Sequence, residues 1–143
     1  MYKQLILSLT FIIFSISHAS TPSHLTKLYA SFENEYNVLL TTLSSKNDFL
    51  ARYPILKNSL DKKYDEFTNL EGDELTPEGN QMALDLEMLT PLQAIFEHKI
   101  SSDGCTLARQ LNEMNSNADL DTYKKINILI KNLCTSMPKA KNK

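Results

Sequence analysis

LTKLYASFENEYNVLLTTL, residues 25–43, decides the fold class. Its apolar positions are Leu25, Leu28, Tyr29, Phe32, Tyr36, Leu39, Leu40 and Leu43. They recur at three- and four-residue steps, with two adjacent pairs. That spacing lays them along one side of a helix of period 3.6, whereas a half-buried strand would alternate every second residue. Thr21-Pro22 stands just upstream, a capping hydroxyl followed by a residue whose φ is already helical. The pattern predicts a first helix over about 22–44.

The same period continues down the chain. Leu56, Leu60, Tyr64 and Phe67 form a second stripe. Pro54 lacks a donor and disfavours helical geometry at Tyr53, so a short turn over 47–52 and a fresh helix from Pro54 are expected. Glu71-Gly72-Asp73-Glu74 reads as a loop. Thr76-Pro77 and Thr90-Pro91 repeat the start signal, with Met82, Leu86 and Leu89 after the first and Leu92, Ile95, Phe96 and Ile100 after the second. Pro91 either kinks one long helix or opens a second. Ser101-Ser102-Asp103-Gly104 is a capping turn before a short helix marked by Leu107, Ala108, Leu111 and Met114. Asp119 or Asp121 can cap a last helix whose apolar side is Tyr123, Ile126, Ile130 and Leu133. The fold expected is all-α: a small antiparallel bundle of four to five helices.

Export is the second expectation. Residues 1–19 combine Lys3, an apolar run from Leu5 to Ile16, and small residues at Ser17 and Ala19, the layout of a cleavable signal peptide. The run is too short to span a bilayer, so no stable membrane insertion is expected after cleavage. The division is a signal peptide over 1–19, one helical domain over 20–138 and a flexible basic tail over 139–143. A periplasmic or secreted location is oxidising, and the chain has two cysteines, Cys105 and Cys134. One falls at the start of the short helix and the other at the end of the last. In an antiparallel hairpin those ends lie side by side, so a Cys105–Cys134 disulfide is expected.

Catalytic signatures are absent. The 143 residues hold three glycines, too few for the Gly-rich loops that cradle phosphates. There is no H-E-x-x-H, no G-x-S-x-G and no EF-hand loop. His98 with Cys105 and Cys134 matches no zinc-ligand spacing. No enzyme activity, cofactor or metal site is expected. Tyr29, Phe32 and Tyr36 could line a pocket for an apolar ligand, but at helical spacing core is the commoner role. Met82, Met88 and Met114 have the same two readings, an adaptable binding surface or gap-filling core.

Charge is the most informative surface property. Residues 20–104 carry seven basic and fourteen acidic side chains, a net of −7; residues 105–143 carry seven and three, a net of +4. An acidic run can simply solvate a surface, and it can also steer a cationic partner. Export, small size and the acidic segment together suggest a protein-binding module of the immunity or inhibitor type, covering a cationic toxin or cell-wall hydrolase. Its expected contact region is Glu71, Asp73, Glu74 and Glu78. The alternatives are a carrier of a small apolar ligand within the bundle and an envelope scaffold or adaptor. An enzyme using buried carboxylates would need a cleft holding one raised-pKa acid beside an ionised one. The net acidity and the exported location argue against a nucleic-acid partner.

Overall fold

Ser23 opens the first helix. In the computed structural model, which describes residues 23–135, its hydroxyl accepts from the Thr26 N–H at 3.2 Å, and α1 runs His24–Thr42. The segment expected to be a signal peptide, the Thr21-Pro22 pair and the lysine tail lie outside the described residues. The stripe read from the sequence is the buried side of α1: Leu28, Phe32, Tyr36, Leu39 and Leu40 are all buried, and Leu43 continues the stripe just past the helix end.

The second helix departs from expectation. α2 is continuous over Lys46–Glu71, with Pro54 inside it. Its start is capped by Ser45, whose hydroxyl accepts from the Asp48 N–H. An interior proline costs about 3 kcal/mol. Against it stands the burial of Phe49 and Tyr53, stacked with ring centroids 4.9 Å apart and in register with Leu60 and Phe67. Burying such side chains contributes roughly 1.5–3 kcal/mol each, so keeping both on the core side offsets the lost backbone bond. Tyr53 also donates to Gln93 Oε1 at 2.8 Å. The helix stops at Gly72, whose φ of +65° is a conformation that suits glycine.

α3 spans Pro77–Met88 and starts as the sequence indicates, with Thr76 accepting from the Gly79 N–H. α4 spans Thr90–Glu97, separated from α3 by Leu89 alone. Here Thr90 does not cap. Its hydroxyl donates to Glu87 O at 2.6 Å, the carbonyl that a proline at position 91 leaves without its usual amide partner. Counted as one broken rod, α3 and α4 bring the bundle to five helices.

Lys99 and Ile100 both take positive φ, 54° and 57°, to reverse the chain after α4. This is costly for a β-branched residue, and Ile100 recovers apolar burial by turning inward. α5 then runs Ser102–Asn115 from a Ser101 cap. It lies so close to the end of α4 that a Cβ on Gly104 would come within 2.6 Å of His98 Cβ. α6 runs Leu120–Cys134, and Asp119 is the residue that caps it.

α1 and α2 are antiparallel, as the pairs His24–Glu66 and Glu35–Lys63 require. α5 and α6 form the expected hairpin. The Cys105–Cys134 disulfide closes it, with Cα atoms 6.2 Å apart. Asn112, buried within the hairpin, donates to Tyr123 O. One apolar core draws on all six segments. Among the described residues there is no strand, and no helix is long and apolar enough to cross a membrane.

Candidate functional site

The helical period that buries Leu28, Phe32 and Leu39 also places Tyr29, Glu33 and Tyr36 together along α1. These three, with Gln81 and Asp85 from α3 and the residues at the start of α6, surround an open cleft of about 300 Å³. Tyr36 belongs to both: it is part of the core and also lines the cleft. Phe32 is core alone.

Asp85 is only 3 % exposed. Its Oδ1 accepts from Gln81 Nε2 at 2.8 Å. Its Oδ2 has no hydrogen-bond partner, and neither has the buried Oε1 of Glu33. As two carboxylates they are acceptors only, with no proton to place between them. Burial pushes the Asp85 carboxyl up to about 7 despite the opposing Gln81 bond. Glu33 adds to the rise, as a hydrogen-bond partner of the protonated form and as a neighbouring charge, and Asp119 contributes from a third element.

The surrounding groups follow the same logic. Burial and Asp85 push the Tyr36 phenol well above its ordinary range; its hydroxyl lies near Thr122 without reaching hydrogen-bond geometry. Tyr29 is pushed up to about 12, by burial first and then by Glu33. At the rim, Lys125 is held by Asp121 at 3.0 Å, and Asp119 Oδ1 accepts the Thr122 N–H at the start of α6. The cleft thus sets four carboxyl groups, Glu33, Asp85, Asp119 and Asp121, against one basic side chain, Lys125.

The acidic loop lies between α2 and α3. Asp73, Glu74 and Glu78 are exposed. Glu71 turns inward, and its Oε2 accepts the Thr76 hydroxyl at 2.7 Å. In sequence the exposed members flank two exposed apolar side chains: Leu70 is 52 % exposed and Leu75 80 %. Glu78 is near enough to the cleft for its charge to be felt at Tyr29.

The remaining candidates separate cleanly. Cys105 and Cys134 are consumed by the disulfide, and His98 packs over Gly104. Met82 and Met88 are core, while Met114 is exposed. Phe96 packs at a tilt against Tyr53, with centroids 5.5 Å apart. Glu33 and Asp85 do not stand out in the sequence as site residues. Their signal is an acid set into an apolar period: Glu33 stands between Tyr29 and Tyr36, and Asp85 between Met82 and Met88. No family model, curated protein or solved structure matches the chain.

Proposed function

We propose that this protein is an exported protein-binding module that engages a basic partner through the loop between α2 and α3, in the manner of an immunity or inhibitor protein. The observation that supports it is the pairing of Leu70 and Leu75, both exposed, with Asp73, Glu74 and Glu78 around them. Interfaces draw affinity from apolar anchors that become buried, and registration and encounter rate from the charged rim. A partner with a basic rim around an apolar pocket fits that surface; a cationic toxin or cell-wall hydrolase is the proposed class. The disulfide supports an oxidising location.

The test is affinity capture with the disulfide-bonded protein, run beside the triple variant D73K/E74K/E78K and the double variant L70S/L75S. A basic captured protein whose activity falls on binding is expected. The triple variant should associate at least tenfold more slowly at low salt, with a weaker salt dependence. The double variant should dissociate faster. A captured protein that is acidic, or that binds all three forms alike, overturns the proposal.

One observation favours a second reading. The cleft holds an acid with a raised pKa beside a second carboxyl, the arrangement that acid–base catalysis requires. A hydrolase built on this pair would show turnover that tracks the Asp85 ionisation and is lost in Asp85→Asn. A binding module would show no turnover on chromogenic glycosides, esters or peptides.

A further inference from the structure

Three acceptor-capable atoms of one cleft are buried without partners: Glu33 Oε1, Asp85 Oδ2 and the Tyr36 hydroxyl oxygen. A buried polar atom left unpaired costs roughly 1–3 kcal/mol, and more when charged. While Asp85 is protonated its proton serves Glu33, but once Asp85 ionises both carboxyl atoms lack a donor; most buried polar groups in native proteins are satisfied, so the ionised pair asks for an occupant. The occupant must supply donors. Lys125, the basic side chain at the rim, is already engaged by Asp121.

The geometry points to this cleft as a binding site for an organic cation, an alkylammonium or guanidinium group, held by Glu33 and Asp85 between Tyr29 and Tyr36. An ammonium brings three N–H donors and a guanidinium five, which matches a set of several converging acceptors. Aromatic side chains at the wall favour a cation with an organic stem over a fully hydrated inorganic ion. A metal ion is the poorer fit, since among the described residues no group of three or more His, Cys, Asp or Glu side chains is arranged to hold one. The volume, about 300 Å³, is at the small end for ligand clefts and suits a single side-chain-sized group.

Occupancy is coupled to a proton. With Asp85 protonated, the pair carries one negative charge; when the cation enters, that proton leaves to solvent and both carboxylates face the N–H donors. The groups that set this balance are Glu33, Tyr29 and Tyr36 from α1, Gln81 on α3 itself, and Asp119, Asp121 and Lys125 at the start of α6. Of these only Lys125 is basic, and Asp121 holds it. Binding therefore strengthens from pH 5.5 to pH 8. The site feels the loop surface only through the charge of Glu78 at Tyr29 and does not need the partner proposed above.

Amide NMR titrations of the disulfide-bonded protein test it, with butylammonium chloride, ethylguanidinium chloride and a short arginine-containing peptide as separate probes. Sodium chloride and calcium chloride serve as controls. The expected result is saturable shifts at Tyr29, Glu33, Gln81 and Asp85 with at least one organic cation. Affinity should be about tenfold higher at pH 8 than at pH 5.5 and at least tenfold lower in both Asp85→Asn and Glu33→Gln. Saturation by the free cations identifies a small amine or guanidine as ligand; saturation by the peptide alone identifies a partner's side chain. A D73K/E74K variant, which leaves Glu78 in place, keeps cation binding whether or not the loop reading holds. Absence of saturable shifts with every organic probe, equal shifts with calcium, or unchanged affinity in both carboxyl variants overturns the inference.

Discussion

Asp85 accepts one hydrogen bond, from Gln81, and has Glu33 as the partner of its protonated form. Its folded-state pKa lies above the unfolded value, so the folded protein holds this proton more tightly. The contribution is fully favourable below about pH 4 and is lost as pH rises through about 7. The loss is on the order of 2–4 kcal/mol at most, since each tenfold change in proton affinity is worth about 1.36 kcal/mol. Asp85→Asn keeps the oxygen that Gln81 needs and removes the charge. Urea unfolding at pH 4, 6 and 8 should find the variant close to wild type at pH 4 and more stable by about 2 kcal/mol or more at pH 8. A stability difference that stays constant across the three pH values contradicts the assignment.

At the scale of the element, α2 is where local preference and packing disagree. Pro54 removes the amide that would bond to Leu50 O, yet the helix passes through because Phe49 and Tyr53 are both wanted in the core. Pro54→Ala should restore that bond and raise stability by about 1–3 kcal/mol in thermal or urea unfolding. A destabilised Pro54→Ala would mean that the proline is matched to a bend the continuous helix requires. Other elements are legible in the chain alone. The stripes of α1 and α6 can be read because their apolar residues keep the helical period along the whole element. The Thr76 cap can be read because its partner, the Gly79 N–H, is three residues away. Thr90 looks like a cap in the sequence and is not one, because its role depends on a carbonyl freed by Pro91 one turn earlier. Glu33 and Asp85 interrupt apolar periods, which marks them as core-facing acids. That they meet is not legible, because it depends on how α1 packs against α3.

For the whole molecule, the hairpin end is fixed covalently and the acidic end is left open. The Cys105–Cys134 bond closes a loop of 29 residues' separation, worth about 3–4 kcal/mol as a restraint on the unfolded chain. Reduction under non-denaturing conditions, followed by urea unfolding, should lower stability by that amount while far-ultraviolet circular dichroism still reports helix. A reduced protein as stable as the oxidised one would rule out the disulfide as a stabilising staple. The acidic residues gather in the part of the chain before the disulfide and the basic excess follows it. For the partner proposed above, that polarity favours approach to the acidic loop and cleft over the lysines farther along α6.

The loop reading and the cation site both build on an acidic surface, and the carboxyl pair is its most specific feature. Carbon-13 NMR of the side-chain carboxyls follows each Asp and Glu through a pH titration separately. Asp85 is expected to hold its proton well above the ordinary carboxyl range, its resonance moving near pH 7 and that transition vanishing in Asp85→Asn. If both carboxyls complete their titration near pH 4, like exposed side chains, the buried pair does not exist as described and the cation site falls with it.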